Sequence, residues 1–165
     1  MAILVALSIG LDSLKFLPMP NGGSVNGAMI GLVIIALSFS PLKTFIATSI
    51  VFGLLTALLD GFFAYYLFDY FFALSGFFII SLVRKHVLHA EPLSGTLVLF
   101  AAFTLTFLVR LIAHVISGFL FFEVDFAGSL TYNLTYLGPS FLLTLIITSL
   151  FMVSPLPQQL LKFTR

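Results

Sequence analysis

The stretch Leu93–Phe122 reads LSGTLVLFAAFTLTFLVRLIAHVISGFLFF, and Arg110 is its one formal charge. A helix needs about 20 mainly apolar residues to cross the hydrocarbon core of a bilayer, and this run exceeds that by itself. Its apolar residues follow one another, as in Leu97–Phe103, and the same holds in Val51–Leu59 and Phe71–Ile80. A spanning β-strand would alternate apolar and polar over about 10 residues. Only helices and closed barrels satisfy their backbone groups in lipid. The continuous runs therefore predict helices, and the chain is read as an all-α, polytopic membrane protein.

Breakers and charges divide the rest. Spans are predicted at about residues 2–14, 24–39, 42–59, 62–83, 93–122 and 129–153, which makes a single six-helix domain over residues 1–165. Lys15–Gly23 (KFLPMPNGG) carries two prolines and two glycines and reads as a loop. Ser40-Pro41 separates the second and third spans, because proline excludes helix from the residue before it. Asp60-Gly61 turns the chain again, Val87–Pro92 links the fourth and fifth spans, and Glu123–Gly128 links the last two. Six spans of about 20 residues leave only some 45 positions for loops and tails, so no extramembrane domain is expected. A cleaved signal peptide is not expected either, since no basic segment precedes the first apolar run.

Composition agrees. Of the 165 residues, 61% are hydrophobic and 8% charged, against about 25% charged in soluble domains. A net charge of +1 with no basic face excludes a nucleic-acid binder. The absence of cysteine excludes disulfides and thiolate metal sites. With six spans, Lys43, Arg84, Lys85, Lys162 and Arg165 fall on the side of the termini. Asp12, Asp60, Glu123 and Asp125 fall on the other, with Lys15 their only cation. The positive-inside rule then makes both termini cytoplasmic.

Catalytic motifs are missing. The chain has no G-x-x-x-x-G-K-[ST] phosphate loop and no H-E-x-x-H, and no G-x-S-x-G elbow. His86 and His89 read as a solvated loop rather than a metal site. An intramembrane enzyme would need a nucleophile–base pair or a metal cluster among the spans, and only one histidine lies there. No enzyme activity, metal or cofactor is expected.

Polar groups inside the spans carry the functional signal. Arg110, His114 and Ser117 recur at steps of four and three, with Thr106 and Phe121 on the same stripe, so they share one helix face. Asn133, Tyr136, Ser140 and Thr144 form a second stripe. A charge at membrane depth is costly, so these faces should point into the bundle. Asp69, His114 and Asn133 all lie towards the outer side, which favours a small-molecule pocket opening outward. A carboxylate at Asp69 with rings from Tyr70, Phe121, Phe122, Tyr132 and Tyr136 suits an organic cation. His114 and Asn133 add donors and acceptors for a heteroaromatic edge. The competing reading is a polar network that only holds helices together, with Arg110 paired to a carboxylate. Ala2 and Ala6 are spaced for close approach of another helix.

Four stretches carry a family resemblance: LPMPNGGSV at Leu17–Val25, FDYFFA at Phe68–Ala73, RLIAHVISGFLFF at Arg110–Phe122 and SLTYNLTYLGPSF at Ser129–Phe141. In sequence and order the chain resembles the thiamine-specific substrate-binding (S) subunits of energy-coupling factor vitamin transporters. The resemblance implies a multi-pass protein of the bacterial cell membrane. It would bind thiamine from outside under the loop between the first two helices, Lys15–Gly23. The implied ligand residues are Asp69, Tyr70, His114, Phe122, Asn133 and Gly22, with Asp69 facing the cation and Asn133 the aminopyrimidine. Ala2 and Ala6 become the surface that docks on a transmembrane coupling subunit, and two ATPase subunits complete the transporter. ATP hydrolysis would then lie in the partners, as the missing phosphate loop requires. The family usually has tyrosine where this chain has Gly128, and the Asp60–Tyr66 link is shorter than usual. A thiamine precursor such as a hydroxymethylpyrimidine, or another vitamin, is the alternative ligand. A structural membrane subunit without ligand is the remote alternative.

Overall fold

The computed structural model describes residues 1–163, with side chains through Leu160. The Lys162 side chain and Arg165, both used for the orientation, lie outside the described residues. The helices are α1 (Ala2–Ser13), α2 (Ala28–Ser38), α3 (Pro41–Leu59), α4 (Leu67–His89), α5 (Pro92–Phe121), α6 (Phe126–Val153) and α7 (Leu156–Phe163). Among the described residues, α3 to α6 are long and apolar enough to cross a membrane. At about 1.5 Å per residue, α1 and α2 extend only roughly 18 and 16 Å.

The starts and stops have local causes. Pro41 and Pro92 open α3 and α5 at the first turn, where a missing N–H costs nothing. Asp125 caps α6 by accepting from the Gly128 N–H at 2.8 Å, so α6 begins at Phe126 and not at the expected residue 129. α4 runs to His89, past the expected stop at residue 83, and the predicted Val87–Pro92 loop shrinks to two residues. The Arg84 guanidinium donates to the Ser38 carbonyl, so the cationic segment docks on α2 instead of ending the helix. The start of α4 moves from the expected residue 62 to Leu67, because Phe63–Tyr65 forms a 3₁₀ turn.

Among the described residues, one short pair of strands departs from an all-α chain. Leu17–Pro18 (β1) and Ser24–Val25 (β2) pair antiparallel, with Leu17 opposite Val25 and Pro18 opposite Ser24. The second span therefore starts at Ala28, four residues later than expected. Asn26 fixes that start. Its Oδ1 accepts from the Ala28 N–H, and its amide donates to Asp12 Oδ1 at 2.8 Å and Ser24 Oγ at 3.0 Å.

Helix α2 is the centre of the bundle. Leu32, Val33, Ile35, Ala36 and Leu37 have no solvent exposure, and the helix packs against α1, α4 and α6. Small residues set the close crossings. Ser8 of α1 lies where a side chain at Gly31 would be, and Gly76 of α4 meets the Thr106 backbone of α5. Thr106 Oγ1 donates to the Gly76 carbonyl at 2.8 Å across that crossing. Phe141 of α6 stacks on Phe103 of α5 at 4.9 Å and packs tilted against Phe107 at 4.8 Å. Buried hydroxyls bond within their own helices, as in Thr56 to Phe52, Thr144 to Ser140 and Thr148 to Thr144. Inside the bundle no water reaches them, and a buried polar group without a hydrogen bond is costly. The outer surface is apolar. Leu108, Ile112 and Phe119 of α5 and Leu142, Ile146 and Leu150 of α6 are all exposed, a belt that bilayer and not water solvates.

Candidate functional site

One cavity of about 490 Å³ lies between the β1–β2 strap, α3, α4, α5 and α6. That is within the ordinary range for a small-molecule site. It sits where the two short helices end and the strap crosses. The side chains that reach it come from unusual backbone as well as regular helix. Ile46–Phe52 of α3 and Leu67–Phe72 of α4 are π-helical, and such insertions cluster at functional sites because they re-aim side chains. Phe52 reaches the cavity from the first, and Asp69 and Tyr70 from the second.

All six residues assigned to the ligand by resemblance line this cavity: Asp69, Tyr70, His114, Phe122, Asn133 and Gly22. Asp69 Oδ1 lies 2.9 Å from His114 Nδ1, and Ser117 Oγ donates to Asp69 Oδ2 at 2.8 Å. The Tyr70 hydroxyl donates to Asp60 Oδ2 at 3.2 Å. Asn133 is buried, donates to the Ser129 carbonyl at 2.9 Å, and accepts from the Tyr136 hydroxyl at 2.7 Å. Phe122 packs against Tyr65 with the rings tilted by 40°, 4.9 Å between ring centres. Among the described residues Arg110 pairs with no carboxylate, unlike the pairing that the network reading expected. Its Nε donates to His114 Nε2 at 3.4 Å. Ala2 and Ala6 lie elsewhere, exposed on the outer face of α1.

Sequence reasoning missed several lining residues. Asp12, Asp60 and Lys15 served only as markers of sidedness, yet all three line the cavity, as does Asn26. The lining thus holds three carboxylates, Asp12, Asp60 and Asp69, against two cations, Lys15 and Arg110. A net negative wall favours a cationic ligand. Lys15 pairs with Asp60 Oδ1 at 2.9 Å, and this hydrogen bond holds its ammonium above the usual lysine range. The only sequence signal for these residues was their position at span ends, which does not say which ends meet.

The strap is held by specific contacts. The Tyr132 hydroxyl accepts from the Asn21 N–H at 2.9 Å and donates to the Gly22 carbonyl at 2.8 Å. Gly22 and Gly23 have φ of +87° and +83°, a region open to glycine and costly for other residues. A side chain at Gly23 would press on the Tyr136 ring, and one at Gly22 on Phe62. Tyr132 and Tyr136 line the cavity, whereas Tyr65 and Tyr66 pack behind it among Phe63, Phe71, Phe121 and Phe122. Gly128 also lines the cavity. A side chain there would press on Asp125 and Val124, so the α6 cap and a bulky residue compete for the same space.

A many-pass helical bundle with one strapped, acid- and tyrosine-lined cavity defines a membrane-embedded binding protein for a small molecule. The chain belongs to the thiamine transporter family (Thia_YuaJ), whose profile matches residues 1–161. It is 34% identical over 174 residues to the thiamine transporter ThiT of Bacillus subtilis (strain 168), covering 93% of this chain and 89% of that one. Its fold is similar to that of a solved ThiT structure from Listeria monocytogenes, with a TM-score of 0.75 at 20% identity. That match covers 94% of this chain and 93% of the other. The protein is a multi-pass membrane protein of the cell membrane and not an enzyme.

Proposed function

We propose that this protein is the substrate-binding subunit of an energy-coupling factor transporter and captures thiamine from outside the cell. The observation that carries the ligand is the cavity's charge: three carboxylates and two cations around tyrosine and phenylalanine rings, inside a chain of the thiamine transporter family. Asp69 supplies the counter-charge to the thiazolium. Tyr70, Phe122 and Asn133 wall the ligand, Gly22 lies in the strap above it, and His114 holds Asp69. The chain forms one domain of six spans with both termini cytoplasmic. It needs no cofactor of its own, since ATP is used by two partner subunits.

Isothermal titration of the purified, ligand-free protein with thiamine tests this reading. The chain has no tryptophan, so heat is the direct signal. Saturable one-to-one binding at nanomolar to low-micromolar concentration is expected. A folded sample that gives heat with a hydroxymethylpyrimidine and none with thiamine would reassign the ligand to the precursor.

Docking on the coupling subunit is assigned to Ala2 and Ala6. Both are exposed one turn apart on α1 beside exposed Ile3 and Leu7, where small residues let a second helix approach. Replacing both with tryptophan should abolish uptake in cells carrying the partner subunits and leave thiamine affinity unchanged. Uptake that survives would place the docking surface elsewhere.

A further inference from the structure

Arg110 is a cation inside a membrane-spanning helix, and among the described residues no carboxylate oxygen lies within salt-bridge distance of it. Its Nε instead donates to His114 Nε2 at 3.4 Å. The other ring nitrogen, His114 Nδ1, lies 2.9 Å from Asp69 Oδ1, and Ser117 holds Asp69 Oδ2. Both nitrogens of His114 are therefore committed to protein groups.

We infer that Arg110 is a positioning residue that sets the tautomer of His114 and, through it, keeps Asp69 an oriented anion. This inference rests on the proposed binding of a cation by Asp69. A guanidinium has donors only and keeps its proton under all ordinary conditions. A hydrogen on His114 Nε2 would put two donors face to face, so Nε2 must offer its lone pair to Arg110. The ring hydrogen then sits on Nδ1 and points at Asp69 Oδ1, because the bond made by one ring nitrogen fixes the state of the other. In the opposite tautomer the Nδ1 lone pair would face Asp69 Oδ1 at 2.9 Å. Asp69 would have to rotate away or take up a proton to bridge the gap. Rotation would carry the negative charge away from the place where a cation needs it, and protonation would remove it. Tyr136 packs edge-on to the same ring, 6.1 Å between centres and 82° between planes, and restricts any reorientation.

The test is nitrogen NMR of ¹⁵N-histidine protein in which the exposed His86 and His89 are replaced by glutamine, so that His114 is the only imidazole. The parent should show the Nδ1–H tautomer. R110M should lose that tautomer and bind thiamine about 10- to 100-fold more weakly, the range seen when outer partners of metal-binding histidines are removed. R110K, which keeps a donor-only cation, should retain the tautomer and most of the affinity. An Nε2–H tautomer in the parent would overturn the inference without any variant. So would an unchanged tautomer in R110M, and so would lost affinity with the tautomer intact, which would make Arg110 a direct ligand contact. If the parent shows the Nδ1–H tautomer but binds no thiamine, the proposed function fails while the positioning role stands.

Discussion

Asp69→Asn is expected to weaken thiamine binding by roughly 30- to 3000-fold and to leave the bundle folded. Truncating one partner of a desolvated charge pair costs about 2–5 kcal/mol, and each 1.4 kcal/mol is about a decade of affinity. The fold survives because asparagine can keep both existing bonds. Its Oδ1 can accept from His114 Nδ1, and its amide can donate to Ser117 Oγ, the groups that flank Asp69 at 2.9 and 2.8 Å. Only the charge is lost. Asp60→Asn is the internal comparison. Asp60 is already paired with half-exposed Lys15, such pairs are worth about 0–1 kcal/mol, and asparagine can still accept from the Tyr70 hydroxyl through its Oδ1, so the effect should stay within about fivefold. Titration of both variants, with melting temperature as the folding control, separates the two carboxylates. Equal losses, or an unchanged affinity in Asp69→Asn, would remove Asp69 from its role.

Gly23→Ala is expected to speed thiamine release about 30-fold or more while barely moving the melting temperature. Two costs combine at this position. A residue other than glycine pays about 1–2 kcal/mol for left-handed backbone, and Gly23 has φ +83°. The added methyl would also lie 2.7–2.9 Å from the Tyr136 ring, and overpacking costs about 1–3 kcal/mol. Tyr136 cannot yield easily, being 4% exposed with its hydroxyl bonded to Asn133. The strap yields instead, because few bonds hold it. Phe16 N–H to Val25 O, Met19 N–H to Gly23 O and Gly22 N–H to Met19 O close it on itself, and at its centre and far end only the Tyr132 and Ser140 hydroxyls tie it to α6. Gly22→Ala should be milder, since the Phe62 ring opposite it is only partly buried and can move. Chasing bound radiolabelled thiamine with an excess of the unlabelled vitamin reads the release rate directly. A wild-type rate in Gly23→Ala would show that the strap does not retain the ligand.

Much of the architecture was legible in the residues because the bilayer is an undemanding solvent to predict. It requires long apolar helices, and α3, α5 and α6 lie within a few residues of where the hydropathy placed them. The polar stripes of α5 and α6 were legible for the same reason, since His114, Ser117, Asn133 and Tyr136 have nowhere inexpensive to point except inward. Misplaced ends trace to bonds between segments distant in sequence. Arg84 reaching Ser38 carried α4 past its expected stop, and β1–β2 pairing delayed α2. The π-helical turn at Leu67–Phe72 leaves no mark in composition, yet it carries Asp69 and Tyr70.

By itself the sequence determined a multi-pass helical chain, its polar faces and, through four matching stretches, its family. Periodicity and apolar content are local quantities, and lipid converts them directly into helices with an inside. Only the tertiary structure decided that Asp12, Asp60 and Lys15 join Asp69 around one cavity, and that Arg110 faces a histidine rather than an acid. Those outcomes depend on which helix ends meet and at what depth. Close crossings at Gly31 and Gly76 and a strap fixed by Tyr132 set both, and no single segment of sequence contains that information.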